Sequence, residues 1–387
     1  MTVDIAVVGA GPVGLAFACG FANTNIKVVI IDKLPKNVLA RPGKDGRDIA
    51  LTHQSAQILK KIGVWDYISL RSISEIKQAI VQDGYSSYCL DFNSHDIQKK
   101  CLGYLISNHL IRKNLYKRLK KISNVTIINN VECESIITNS HYASISLSNG
   151  TTMKASLVVA ADGRFSKTRS MMAIPTFSHD FKKNMLVCRM QHEKTHNNIA
   201  YELFHYTQTQ ALLPLKNKQS SIVLTVPKDI ALTLMKVHKK KFNKEMQNNF
   251  NNRFGKMTLI GERYSYPLIT IYAKKFATNR FALIGDAAVG MHPVTAHGFN
   301  LGLKGQEILV KEIKFAIKRN IDIGLPIILQ NYQLKMHCVA APLYFTTNSI
   351  VNLFTRTSFP AKIIRKFLLR LTNVIKPVKH IFLHVLK

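Results

Sequence analysis

The sequence predicts an α/β fold: a Rossmann-like dinucleotide-binding layer, an inserted β-rich substrate domain and a C-terminal helical tail. Three stretches predict it. Asp4–Asp32 reads as strand, glycine turn, helix, strand. Leu157–Arg169 holds a buried strand that stops at Asp-Gly, and Arg280–Leu303 holds another that stops at Gly-Asp. Most of the intervening chain alternates apolar and polar residues, the pattern of half-buried strands.

In the first stretch, Ile5–Val8 is short and apolar enough for a buried parallel strand. Gly9, Gly11 and Gly14 follow in G-x-G-x-x-G spacing. Gly9 permits the tight turn, Gly11 lets backbone N–H groups approach a pyrophosphate, and Gly14 allows close helix–sheet packing. Leu15–Phe21 is the small, apolar helix that should follow. Val28–Ile31 is a second buried strand, and Asp32 ends it where an acid accepts hydrogen bonds from a ribose 2′-OH. That acid argues against NADP as the tight ligand, and these residues leave both NAD and FAD open.

Onward from Asp32, Lys33–Asp45 is a loop and Leu51–Ile62 a helix. Arg47 precedes that helix, as a solvated loop charge or a phosphate contact. Ile76–Cys89 reads as strand, turn and strand around Asp83-Gly84. Tyr104–Ile106 follows, then a basic helix, His109–Ile122, with Arg112 in its first turns. Val125–Ile128, Val131–Ile137 and Ala143–Leu147 read as strands. Leu157–Ala160 is a core strand, and Asp162-Gly163 places polar groups at the carboxyl edge of a sheet, where ligands bind in such folds. Met185–Gln191, Ala200–His205, Gln210–Leu215, Ser221–Val226 and Tyr264–Tyr272 form the strand-rich block. Within it, Ile230–Arg253 is a polar helical stretch expected to be a solvated face. In the last anchor Phe281–Ile284 is a strand ended by Gly285-Asp286, with Asp286 placed to meet a hydroxyl or a ribityl-type chain. Pro293 breaks any helix, and Gly298, Asn300 and Gly302 are expected to lie against a flat ligand before a helix, Leu303–Phe315, begins.

With 387 residues, 47% hydrophobic and 20% charged, the chain is a globular protein with room for more than one domain. Its six cysteines, Cys19, Cys89, Cys101, Cys133, Cys188 and Cys338, form no C-x-x-C pair, so free thiols in a reducing compartment are expected. The apolar start carries Asp4 and no basic region, and it reads as the nucleotide strand and not as a secretory signal. No uninterrupted apolar window of about 18 residues exists, so no spanning helix is expected. The charge of +32 admits three readings: nucleic acid, an anionic membrane surface, or compositional bias toward Lys and Asn. The basic residues are widely spread and not interleaved with aromatics, which ranks nucleic acid last. In the tail, Ala361–Ile375 sets Ile363, Ile364, Phe367, Leu368 and Leu371 against Lys362, Arg365, Lys366 and Arg370. Such a helix lies on a membrane or docks on its own protein. No metal site and no catalytic triad is spaced in the sequence.

The three anchors, in this order, resemble the class A flavin monooxygenases, the para-hydroxybenzoate hydroxylase-like fold. GAGPVG (Gly9–Gly14, with Pro12) looks like the FAD ADP-binding loop, and Asp32 like its ribose acid. GRDIAL resembles the segment whose arginine, here Arg47, contacts FAD, and Arg112 matches a helix residue near flavin and pyrophosphate. Ala161–Arg169, with Asp162 and Gly163, looks like the motif associated with both FAD and NAD(P)H. Ile284–Leu303, with Gly285, Asp286, Pro293, Gly298 and Asn300, resembles the loop that holds the riboflavin part. The closest likeness within the family is to ubiquinone-biosynthesis hydroxylases of the UbiM type, with departures from the commoner wording at Val289 and His297.

The resemblance implies FAD as cofactor, NAD(P)H as co-substrate, and O₂ activated as a flavin C4a-hydroperoxide. It implies hydroxylation of a polyprenylated phenolic precursor of ubiquinone, with no specific catalytic side chain assigned. Pro214, His292 and His297 are candidates for the substrate side, the two histidines equally readable as ordinary loop residues. The implied partners are the membrane surface, met through the basic tail, and a ubiquinone-biosynthesis assembly, with no nucleic acid. The implied location is cytoplasmic, peripheral on the inner face of the membrane. The expected division is a discontinuous FAD domain (1–70, 103–180 and 276–340), a substrate domain (71–102 and 181–275) and a tail (341–387). The rivals are an FAD-linked dehydrogenase or reductase of the same fold, and a non-catalytic basic binding protein.

Overall fold

The computed structural model of the chain describes residues 1–83, 89–205, 208–293 and 297–355. It opens with β1 (Thr2–Val8), α1 (Pro12–Cys19), β2 (Val28–Asp32), α2 (Lys36–Ala40), β3 (Asp48–Leu51) and α3 (His53–Lys61). Next come β4 (Ser74–Ile76), β5 (Gln78–Asp83), β6 (Cys89–Asn93), β7 (Gly103–Ser107), α4 (Asn108–Leu119) and β8 (Val125–Asn129). They are followed by β9 (Cys133–Thr138), β10 (Ala143–Leu147), β11 (Thr152–Ala160) and α5 (Lys167–Met171). The inserted block is β12 (Thr176–His192), β13 (Ile199–His205), β14 (Gln208–Leu215), β15 (Gln219–Pro227), α6 (Lys228–Lys236), α7 (Lys239–Asn249) and β16 (Met257–Ala273). The last part is β17 (Ala277–Thr278), β18 (Phe281–Leu283), β19 (Val289–Gly290), α8 (His297–Lys318) and α9 (Pro326–Thr355).

The nucleotide layer has the strand order β17-β18-β11-β1-β2-β8, with β9 and β10 attached beside β11. β1 runs parallel to both β2 and β11, and β18 runs parallel to β11. Ile5, Val7, Ile30, Val158 and Phe281 are fully buried, because helices cover a parallel sheet on its faces. The topology sets the carboxyl ends of β1 and β18 on either side of β11. The glycine turn and the Gly-Asp turn, which are 274 residues apart from Gly11 to Gly285 in numbering, therefore open toward one place.

The second sheet has the order β19-β16-β12-β15-β14-β13-β5-β6. Side chains alternate across its two faces. Leu186, Cys188, Met190, Leu212, Ile222 and Leu224 fill one face, against Ala231 and Leu234 of α6 and Phe242 and Met246 of α7. The Ile230–Arg253 stretch is therefore no simple solvated face: it splits into two helices whose apolar stripes close this core. The other face looks back toward the nucleotide layer. A short antiparallel sheet, β3-β7-β4, lies between the two.

α9 crosses from one layer to the other. The Tyr332 hydroxyl donates to Leu283 O at 2.6 Å on β18, and Gln333 Oε1 accepts from Phe276 N at 2.9 Å. Near its other end Phe354 packs on Phe204 of β13, ring centres 4.5 Å apart. The expected boundary at 340/341 falls inside this unbroken helix. The expected one at 180/181 falls where β12 and β16 lose regular pairing between Asp180 and Asn184. No helix among the described residues is long and apolar enough to cross a membrane. The Gly84 position of the Asp83-Gly84 turn and the Ala361–Ile375 helix lie outside the described residues.

Candidate active site

The two sheets and the helix starts enclose a cavity of about 390 Å³. Gly11, Pro12 and Val13 line it from the first turn, Gly163 and Arg164 from the second, and Gly285, Asp286, Pro293, Gly298 and Phe299 from the third. All three anchors thus meet on one space.

The glycines divide into two kinds. Gly9 has φ +107°, and a Cβ there would sit 2.5 Å from Ala161 O. A Cβ on Gly14 would sit 2.1 Å from Gly9 O. These two let β1, α1 and β11 come together. Gly11 differs: a Cβ there would approach only Ala161 O, at 3.8 Å, and around Gly163 and Gly298 nothing stands within 4 Å. These three leave backbone open to the cavity. Gly11 also caps α1 with no side-chain hydrogen bond, and no acid occupies the first turn, so the first N–H groups of α1 point to open space.

Two acids and an amide expected to touch a ligand are bound into the frame. Asp32 Oδ2 accepts from Ala10 N at 2.5 Å and Oδ1 from Leu34 N at 2.8 Å, pinning the glycine turn to β2. Asp162 accepts from the Ser166 hydroxyl at 2.5 Å and from Thr168 N at 3.1 Å and its hydroxyl at 2.9 Å. It organises the start of α5 and leaves Gly163 to face the cavity. Asn300 sits inside α8: its Nδ2 donates to Ala50 O at 2.8 Å and its Oδ1 accepts from Thr52 N at 3.1 Å. The expectation of an extended segment before a helix at Leu303 is corrected here. α8 already begins at His297, because Gly302 is small enough to pass Val13, whose Cγ2 would lie 2.8 Å from a Cβ at that position. Gly298 alone of the three expected contacts stays open at the helix start.

Arginines stitch the turns together. Arg164 donates to Asp286 Oδ2 at 3.1 Å, to Ile269 O on β16 at 2.6 Å and to Met291 O at 3.4 Å. Buried Arg169 donates to Ala287 O at 2.9 Å. Arg47 forks onto Asp45 at 3.1 and 2.7 Å and stands over the Tyr266 ring. Burial disfavours the Asp45 charge, but Arg47 and Asn108 hold its carboxyl below the usual range. Arg112, half-buried on α4, makes no hydrogen bond or ion pair among the described residues, and burial lowers its pKa while Asp45 and Asp32 oppose that shift. It is a cation with capacity for an anion.

The substrate side is a floor built by register. Val187, Val223, Ala211 and Glu202 are consecutive cross-strand partners on β12, β15, β14 and β13, and all line the cavity. Met185, Thr225 and Thr209 form the row on one side of it, Ser221 and Leu213 the row on the other. Leu213 faces the cavity, so its neighbour Pro214 takes the opposite face of the strand, and the expectation for Pro214 moves by one residue. His292 is buried on the cavity wall, edge-on to Phe181 at 4.9 Å. Burial, with Lys183 and Arg164 adding, pushes its pKa down to about 3, so it is neutral at ordinary pH. His297 is buried at the start of α8 and is not part of the cavity lining.

Three acids line the cavity: Asp48, Glu202 and Asp286. Asp48, with its side chain fully enclosed, pairs with Arg189 at 2.5 Å and accepts from Ser107 at 3.0 Å. Asp286 pairs with Arg164. Glu202 has neither a hydrogen bond nor an ion pair among the described residues, and burial pushes its pKa up to about 8. Sequence reasoning passed over it. The one signal was its place as the single acid in an otherwise apolar run, Ile199–Phe204.

These residues suit FAD: open backbone at Gly11, Gly163 and Gly298 and a helix start for a diphosphate, with Arg112 off the cavity lining but close enough to Asp32 and Asp45 to feel their charges. Among the described residues no cluster of His, Cys, Asp and Glu could hold a metal ion.

Comparison with known proteins agrees. The FAD binding domain family matches residues 2–333. The ubiquinone hydroxylase UbiM of Neisseria meningitidis is 42% identical over 380 residues, covering 97% of this chain and 82% of that protein. The ubiquinone hydroxylase UbiL of Rhodospirillum rubrum is 30% identical, covering 98% and 88%. In fold, the p-nitrophenol 4-monooxygenase PnpA of Pseudomonas putida superposes with a TM-score of 0.80 at 17% identity, over 99% of this chain and 97% of that one.

Proposed function

The chain belongs to the FAD binding domain family, and from that premise we propose that it is an FAD-dependent monooxygenase that hydroxylates the aromatic ring of a polyprenylated ubiquinone precursor. The observation that carries the reading is the meeting of Gly11 and Asp286 on one cavity whose far wall is a mostly apolar sheet face. The likeness to two ubiquinone hydroxylases supports the substrate class.

When bound, FAD supplies the redox chemistry, accepting electrons and activating O₂. The chain supplies binding, orientation and dryness. The start of α1 and Arg112 hold the diphosphate, the first by backbone N–H groups and the helix dipole, the second by its charge. Gly298 and Pro293, on the cavity wall at the start of α8, would take the flavin side of the cofactor. Arg164 fixes Asp286 and ties the third turn to β16, so a cross-layer bond holds the nucleotide side of the cavity to its floor. Val187, Val223 and Ala211 hold the substrate ring against a surface that excludes water.

NAD(P)H is the reductant in this reading. A polyprenyl tail does not dissolve in water, so the substrate comes from a membrane. The basic segment 356–387 is the docking element, which puts the protein on the cytoplasmic face of the membrane, with an assembly of ubiquinone-biosynthesis proteins as its company.

Mass-spectrometric profiling of quinone intermediates in cells lacking this chain tests the function. Accumulation of a precursor short of one ring hydroxyl is expected, and an unchanged quinone pool overturns the reading. Liposome co-sedimentation of the full chain against a chain ending at Thr355 tests the docking element, and equal binding removes it.

A further inference from the structure

We propose that Glu202 is a catalytic residue of this site: its carboxylate accepts the proton of the substrate's ring hydroxyl. The inference rests on the hydroxylase reading above for its substrate, a phenol.

Position is the first argument. Glu202 lies in the cavity floor, opposite Ala211 on β14 and Val81 on β5. Ala211 is small and leaves room beside the carboxyl for a flat ring. One pair further along β13, Phe204 packs on Phe354 of α9, which closes that end of the floor with apolar surface.

Lack of a competing partner is the second. The two other acids on the cavity are each held by an arginine, Asp48 by Arg189 and Asp286 by Arg164. Glu202 is partly exposed to the cavity, so its carboxyl is both unheld by the protein and within reach of a ligand that enters. The titratable and charged groups around Glu202 are Asp83 on β5, Tyr201 and His205 on β13, and, across the cavity, Arg47, Asp48, Arg164, Asp286 and His292. None of them is a cause of its shifted pKa, which burial alone produces.

Chemistry is the third. Ring hydroxylation by an electrophilic oxygen is faster the richer the ring, and a phenolate is richer than a phenol. In the step proposed, the phenol O–H bond breaks, its electron pair stays on the ring oxygen, and the proton forms the O–H of a carboxylic acid on Glu202. An ordinary carboxylate is a poor acceptor for a phenol, whose pKa is about 10. Raised to about 8, Glu202 is closer to its donor. At neutral pH the carboxyl is mostly protonated and activity should rise as it ionises.

The test uses the full chain loaded with FAD, wild type against Glu202→Gln and Glu202→Asp, with 2-prenylphenol and its O-methyl ether as probes. The ether has no proton to give. Binding is read from the perturbation of the flavin absorption spectrum, and turnover from product formation, both between about pH 6 and 10. In the wild type, phenol affinity and kcat/KM should rise through an inflection near the pKa of Glu202, while ether binding stays flat. Glu202→Gln should lose the inflection and about 10²- to 10⁴-fold in kcat/KM with unchanged flavin content. Glu202→Asp should recover part of both. A Glu202→Gln protein with the wild-type pH profile, or one retaining kcat/KM within about threefold, overturns the proposal. If the wild type yields no hydroxylated product, the hydroxylase reading fails by itself. Glu202 is then judged by binding alone, and equal preference for phenol over ether in wild type and Glu202→Gln sinks it.

Discussion

The nucleotide layer and the substrate sheet solve opposite problems. In the first, side chains hold the backbone and the backbone is left to meet the ligand. Asp32, Asp162 and Asn300 are all bound to local N–H, O–H or C=O groups, while Gly11, Gly163 and Gly298 stand open. In the second, regular pairing satisfies the backbone, and the side chains of alternate residues meet the ligand. A region that binds through main chain tolerates almost no change in its glycines. A region that binds through a sheet face can keep its fold while the positions that face the cavity change.

The strongest test of that contrast is Gly9→Ala. The residue has φ +107° and its new Cβ would lie 2.5 Å from Ala161 O. The variant should lose about 4 kcal/mol or more of stability and be purified without yellow colour, as read by thermal unfolding and flavin absorbance.

Second is the seam between the regions. Arg189 on β12 reaches Asp48 on β3, whose carboxyl is fully enclosed. Arg189→Ala leaves that charge unpaired and should cost about 3–5 kcal/mol in a denaturant titration. Replacing Asp48 and Arg189 together by apolar residues of similar volume should cost less than Arg189→Ala alone.

The third is a pH effect on the cavity wall. His292 has its pKa pushed from 6.5 to about 3 by burial first, then by Lys183 and Arg164. Between those values the folded chain binds fewer protons than the unfolded one. Stability therefore rises with pH through this window and is lost as pH falls. Between about pH 7 and 4 the wild type should lose of order 3 kcal/mol more than His292→Gln, measured by unfolding at each pH. Equal acid sensitivity would show that His292 is not held neutral.

The smallest effect belongs to Asn300→Ala. It frees Thr52 N and Ala50 O where α8 meets β3, and should cost about 1–2 kcal/mol while flavin stays bound. Loss of flavin instead would make Asn300 a ligand contact and blur the division drawn here.

The same contrast explains what was legible in the sequence. The turns at Gly9–Gly14, Asp162-Gly163 and Gly285-Asp286 each occupy one short stretch, so their meaning survives as a local pattern. Strand positions in the inserted block were readable from alternation, but which face looks inward was not: Leu213 faces the cavity and Pro214 does not. That choice depends on which face α6 and α7 cover, and their stripe of Ala231, Leu234, Phe242 and Met246 sits in a stretch rich in Lys and Asn. Glu202 was invisible as a site residue because its neighbours there, Ala211 and Val223, are 9 and 21 positions away and join it only through strand pairing. The start of α8 is misplaced in the sequence because Gly298, Asn300 and Gly302 read as backbone laid against a ligand, where Gly302 is a packing contact inside the helix.

The two-faced sheet has a consequence for how such a chain changes over time. Val187, Ala211 and Val223 can be exchanged for larger or smaller side chains while Leu186, Leu212 and Leu224, each adjacent on its strand, keep the enzyme folded. New preferences for the ring can thus arise by single exchanges that never disturb the flavin, whereas inserting one residue into any of these strands would turn the lining into core and the core into lining.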